Sequence, residues 1–229
     1  MNRRKLLLGM ALAGLDLKAQ EPSPGSLYIP KPHLVEDRKF LHDFMDEFAF
    51  ADLVTASPGI RITHIPVLLD RTAAYGTLFG HVSRQNPQHK AFDGNPAVIV
   101  FRGPHSYISP KWYNKPDAVP TWNFAVVHAT GRPMAISDPK ALHGWLARLI
   151  AKFEGPGSSY DFANLPESYV NGLIGGIIGF EMQIELLEGK FKLGQERSDA
   201  DKQAILKNLQ STRQARTIYE LTADFYKRG

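Results

Sequence analysis

From Ala49 to Ile136 the sequence runs in short stretches of β-branched and aromatic residues separated by glycine and proline, which commits most of the chain to extended structure. Ala49 to Ala56 and Ile60 to Leu69 flank Ser57, Pro58 and Gly59 and read as strand, turn, strand. Gly76 to Val82, Ala97 to Phe101, Ser106 to Ser109 and Thr121 to Ile136 continue the pattern. Helices bracket it. Phe40, Leu41, Phe44, Met45 and Phe48 recur at helical spacing and predict a helix over Val35 to Glu47. Asp138 and Pro139 open a second, whose stripe of Leu142, Trp145, Leu146, Leu149, Ile150 and Phe153 ends at Gly155, Pro156 and Gly157. A glycine-rich turn at Gly172, Gly175 and Gly176 leads into a long strand expected from Ile174 to Leu187. Ser198 with Asp201 opens a C-terminal helix, and Arg213 to Phe225 forms another. Strands in meander order with late and terminal helices give an antiparallel barrel or sheet of the α+β class.

Composition then narrows the chemistry. With no cysteine among 229 residues, thiol nucleophiles, CxxC redox pairs and Cys-ligated metals are excluded. GxGxxG, HExxH, GxSxG and GxxxxGK[ST] are absent, so dinucleotide, metalloprotease, α/β-hydrolase and P-loop readings lack their minimal parts. His64, His81, His105 and His128 fall in or beside strands at spacings that match no zinc pattern, and no metal is expected.

The net charge of +4 is unevenly placed. Arg3, Arg4, Lys5 and Lys18 against Asp16 hold three of those charges, which leaves the rest of the chain near +1. Residues 1–26 read as an export signal and linker: a basic cluster, then an apolar run from Leu6 to Leu15 too short to span a bilayer. Its arginine pair resembles a twin-arginine signal, which implies a periplasmic protein. Asp16, Leu17 and Lys18 are awkward near a cleavage site, and the alternative is an amphipathic first helix on a cytoplasmic protein. Residues 27–229 form the single globular domain.

Three polar segments carry the candidate site. GHVSRQNPQ, from Gly80 to Gln88, gathers a hydroxyl, a guanidinium and exposed backbone N–H groups in a turn, a set suited to a phosphate dianion. Tyr107, Trp112, Tyr113 and Trp122 lie around loops and could cover a flat ring or build a subunit interface. Lys190, Lys192, Gln195 and Arg197 sit in the stretch GKFKLGQERS, read as a turn. Together they suit an anionic, aromatic ligand, although each alone also reads as a solvated turn, core aromatics or a charged loop.

SLYIPKPH, THIPVLLD, GHVSRQNPQ, FRGPHSYISPKWY, VPTWNF and GFEMQIELLEGKFKLGQERS, in this order from Tyr28 to Leu209, resemble the PaiB-type FMN-binding proteins often labelled negative transcriptional regulators. The resemblance implies an FMN-binding split β-barrel, antiparallel and Greek-key-like, with peripheral helices and related to pyridoxamine-phosphate oxidase. It also implies a homodimer with FMN at the interface; haem is the weaker alternative, since related barrels accept other planar ligands. By analogy, Thr63, His64, His81, Ser83 and Arg84 would flank the ribityl phosphate. Trp122 and Asn123 would lie near the ring or the interface, and Lys192, Gln195 and Arg197 would close the site. Where the family commonly has KLSQNRS this chain has KLGQERS, and Glu196 would repel a phosphate, which makes Ser83 and Arg84 the better phosphate candidates.

The expected function is therefore an FMN-binding protein, with a flavin-dependent oxidoreductase acting on a small substrate as the leading form. A DNA-binding regulator and a non-catalytic flavin or haem dimer are the alternatives. Residues 190 to 216 hold seven Lys or Arg against three acids, but no helix-turn-helix is evident. Export would also separate the chain from chromosomal DNA.

Overall fold

In a computed structural model of the chain, residues 27–113, 117–136, 138–160, 162–211 and 216–227 are described. The segment read as an export signal and linker lies outside them.

Among the described residues nine strands form one antiparallel sheet: β1 (Leu34–Val35), β2 (Phe50–Thr55), β3 (Arg61–Pro66), β4 (Leu68–Asp70), β5 (Thr77–Ser83), β6 (Ala97–Ile108), β7 (Thr121–Gly131), β8 (Met134–Ile136) and β9 (Ile177–Lys192). Among the same residues five α-helices pack beside it: α1 (Arg38–Glu47), α2 (Pro139–Glu154), α3 (Glu167–Gly175), α4 (Asp199–Gln210) and α5 (Arg216–Lys227). The strand order is β3-β2-β6-β7-β9-β5-β4, with β1 and β8 also paired to β9. Of three hairpins, β2–β3 pairs with β6–β7 through β2 and β6, and β9, whose two halves pair with β7 and with β5, joins these to β4–β5. The sheet thereby curls into a split barrel. A plain meander is not what forms, because β9 returns between β7 and β5.

The curled interior takes alternate residues. Leu53, Leu78, Ile99, Val127, Phe180, Met182 and Phe191 are fully buried there. α1 lies across one end, with Asp37 Oδ1 accepting from Phe40 N at 3.0 Å. Asp138 caps α2 by accepting from Lys140 N and Ala141 N, and Ser198 Oγ caps α4 by accepting from Asp201 N. Two glycines let helices touch strand backbone: a Cβ at Gly179 would stand 2.5 Å from Leu142 of α2, and one at Gly189 would stand 2.3 Å from Leu41 of α1. Among the described residues no helix is long and apolar enough to cross a membrane.

Four expectations need correction. Leu34 and Val35 pair with β9, so α1 begins only at Arg38. Ala97 to Ile108 is one strand, with a bulge between Arg102 and His105 at Gly103 and Pro104. Ile174 to Gly175 ends a helix, α3, because Val170 and Ile174 are one turn apart and bury together against Leu142; the glycines disguised that period. Lys190 and Lys192 belong to β9 and not to the turn after it.

Candidate functional site

The outer face of the sheet can be read as rows crossing β3, β2, β6, β7 and β9. One row runs Ile62, Val54, Val98, Thr130, Leu186, and the next runs His64, Asp52, Val100, His128, Glu188. Beyond them lie Arg102, Val126, Lys190, then His105, Phe124, Lys192, then Tyr107 with Trp122. This face is apolar with embedded cations. Phe50, Ile62 and Trp122 are 69%, 57% and 53% exposed, a large apolar presence on a surface that no element among the described residues covers.

Its polar centre is Asp52. The carboxylate accepts from His64 Nδ1 and from Arg102 Nη2. Burial opposes the Asp52 charge, but those two hydrogen bonds outweigh it and hold the carboxyl below its usual range. Since a carboxylate only accepts, His64 carries its proton on Nδ1 and leaves Nε2 free on an exposed side chain. The field around this centre is positive: burial first, then the charges of Arg102 and Lys190, lowers the pKa of His128. Burial, then Lys192, lowers that of Lys190. Lys190 donates to Tyr28 O at 2.8 Å and Lys192 to Thr121 Oγ1 at 2.6 Å, so each ammonium keeps donors to spare. Trp122 stands edge-on to Tyr107 at 5.9 Å, with His105 at 6.1 Å.

The ten residues singled out from the sequence do not converge. His64, Trp122 and Lys192 share the outer face. Thr63, next to His64 on the strand, points the other way: its hydroxyl donates to Gln88 Oε1 and accepts from Asn86 Nδ2 at 2.9 Å. Gln88 is wholly buried and donates to Leu53 O and Arg61 O, so this network fastens the Asn86–Gln88 turn to the β2–β3 hairpin. Asn123 is buried behind Trp122, its Nδ2 without a partner among the described residues. His81 faces α2 and is half-buried. At the end of β5, Arg84 donates from Nε to Gly175 O at 2.6 Å and from Nη2 to Ile177 O at 3.1 Å.

The turn after β5 does not offer the free backbone N–H groups expected of it. Arg84 N, Gln85 N, Asn86 N and Gln88 N donate to Gly176 O, Ser83 Oγ, Ser83 O and Asn86 Oδ1. Any anion there must be met by side chains. Gln195 is spent on its own turn, accepting from Leu193 N at 2.7 Å and donating to Phe191 O. Arg197 lies over the Tyr113 ring at 4.5 Å. Glu196 faces His33 at 3.7 Å and Arg197 at 3.8 Å, and Gly194 has φ 76°, a conformation that disfavours any residue with a side chain. Asp52, Arg102, Lys190 and Tyr107 were not among the ten. Asp52 had one signal, as the lone acid in an apolar strand placed symmetrically to His64 about Pro58.

A sequence model of the family described as "Putative FMN-binding domain" matches residues 27–186. The chain belongs to this FMN-binding family. It is 30% identical over 207 residues to the protease synthase and sporulation protein PAI 2 of Bacillus subtilis strain 168, covering 88% of this chain and 99% of that protein. It is 32% identical over 195 residues to an uncharacterized protein of Emericella nidulans, covering 67% of this chain and 76% of that one. Among solved structures it is similar to the flavocytochrome Anf3 from Azotobacter vinelandii (TM-score 0.55, 16% identity, 69% of each chain). It is also similar to the FAD and heme binding protein from Mycobacterium smegmatis (TM-score 0.55, 19% identity, 75% of this chain and 80% of that one). Those two likenesses concern the fold, a flavin-binding split barrel. FMN is the family's cofactor, and the residues of the outer face fit its chemistry: side-chain cations for a phosphate dianion, and an aromatic ridge for a flat ring.

Proposed function

We propose that this FMN-binding chain seats the flavin on the outer face of the sheet, and that a second copy covers the same face to make a homodimer. The observation that carries the reading is the face itself, exposed and apolar yet studded with Arg102, Lys190 and Lys192. A flat sheet surface cannot enclose a flavin, so a second wall is required, and an isologous partner supplies it. The ring would lie along Tyr107 and Trp122. The phosphate would be drawn to Arg102, Lys190 and Lys192, with Ser83 and Arg84 a second cationic corner that acts through side chains alone.

Bound FMN supplies hydride or single-electron chemistry, which supports the reading of a flavin-dependent oxidoreductase acting on a small substrate. The chain's own part is to bind, orient and manage protons. Asp52 fixes the His64 tautomer, so that Nε2 can accept a proton on the exposed side of the ring. The regulator reading has less support, since Lys190 and Lys192 lie on the sheet face, and Lys202 of α4 pairs with Asp199 and covers Tyr226. FMN titration of Trp122→Ala and of an Arg102→Ala/Lys190→Ala double variant tests the seat: each should weaken FMN at least tenfold. Unchanged affinity in both would remove it.

Residues 1–26 are proposed as a twin-arginine export signal and its linker. A mature N-terminus near Gln20 in the periplasm would support that, and an intact Met1 in the cytosol would oppose it.

A further inference from the structure

Strand β5 divides its side chains between two layers. Leu78 and Val82 enter the main core, while Phe79 and His81 face α2 on the other side. Phe79 is well covered: it stacks on Trp145 and packs with Leu68 and Leu149. His81 is not. Beside it, between α2 and α3, a cavity of about 260 Å³ is walled by Leu146, Ile150, Phe162, Leu173 and Ile174. Every other lining residue is apolar, and His81 is the one polar group in the wall.

Among the described residues neither ring nitrogen of His81 has a hydrogen-bond partner, and burial alone lowers its pKa. The imidazole is therefore neutral at neutral pH, with one donor and one acceptor unspent in an apolar wall. Both stay available to a ligand that enters the cavity. The wall is also held in place, because Arg84 ties the C-terminal end of α3 to the end of β5 through Gly175 O and Ile177 O. A fixed apolar cavity with one unsatisfied polar group has the usual composition of a small-molecule site, and its volume falls just under the roughly 300–1,000 Å³ of drug-sized pockets.

We propose that this cavity binds a small, uncharged aromatic ligand of one or two rings, whose single hydroxyl or ring nitrogen pairs with His81. An anion or cation would lose its hydration against apolar walls and find no counter-charge there. A larger ligand would exceed the volume. The site is built on β5, α2 and α3, and none of the residues proposed for the flavin seat lines it.

The test is calorimetric titration of the full chain, with and without FMN, using 2-naphthol, naphthalene and 2-naphthalenesulfonate. One 2-naphthol should bind per chain in both forms, and the sulfonate should not bind. His81→Leu should weaken 2-naphthol about tenfold, the loss of about one hydrogen bond, and leave naphthalene unchanged. Leu173→Trp, at a rim position 52% exposed, should plug the cavity and abolish binding of both. That surface substitution decides the matter should His81→Leu fail to fold. Absence of saturable 2-naphthol binding, or binding that neither variant alters, overturns the proposal. Visible flavin absorbance of each variant reports the sheet face separately.

Discussion

Thr63→Val separates the structure's account of the THIP strand from the one its sequence suggests. Valine keeps the branched shape but removes the hydroxyl that donates to Gln88 Oε1 and accepts from Asn86 Nδ2. Each such bond contributes about 1 kcal/mol net, and the buried Gln88 oxygen would lose a donor, so the expected cost is about 2–3 kcal/mol. With a urea slope of about 2 kcal/mol/M, the unfolding midpoint should fall by about 1 M at unchanged slope. Gln88→Met, which also gives up the bonds to Leu53 O and Arg61 O, should cost about 3 kcal/mol. The double variant should fall short of additivity by about 1 kcal/mol, because the shared bond is lost only once. FMN affinity of Thr63→Val should change by less than about threefold. Stability within about 0.5 kcal/mol of the parent together with FMN binding weakened tenfold or more would contradict this placement of Thr63. That result would turn Thr63 toward the ligand.

Three further outcomes follow from the same geometry. Asp52 has its folded pKa held below the ordinary value of about 3.9, so its contribution is present above that pH and is lost as pH falls through the folded value. Asp52→Asn should therefore lower stability by about 1 kcal/mol at neutral pH, a modest figure because His64 and Arg102 are largely exposed, and should flatten the acid limb of a stability-versus-pH curve. Gly179→Ala places a Cβ 2.5 Å from Leu142 and should cost about 1–3 kcal/mol in urea unfolding, with α2 displaced. Arg84→Ala removes one bond to the last residue of α3 and one to the first residue of β9, and should speed amide exchange in Val170 to Gly175 while leaving β5 protected.

Much of this architecture could be read from local pattern. The stripes of α1 and α2, the caps at Asp138 and Ser198 and the hairpin about Pro58 are each written within a dozen or so residues, where spacing decides the outcome. What escaped depends on partners far along the chain. Two glycines broke the helical period of α3, which forms because Val170 and Ile174 find Leu142 of α2. Arg84 looked like a free guanidinium at a turn, yet it meets carbonyls 91 and 93 residues later. Asp52 joins His64 through a hairpin but reaches Arg102 only once β2 and β6 are paired. Neighbours on a strand also point to opposite faces, so grouping Thr63 with His64, or Trp122 with Asn123, joined residues that the sheet separates.

Light scattering with simultaneous flavin absorbance on the purified, FMN-loaded chain reads the flavin seat and the dimer together. A dimeric mass carrying one FMN per chain, reduced to an FMN-free monomer by the Arg102→Ala/Lys190→Ala variant, is the predicted result. A monomer that retains FMN would contradict it, since the outer sheet face alone offers no second wall for the flavin.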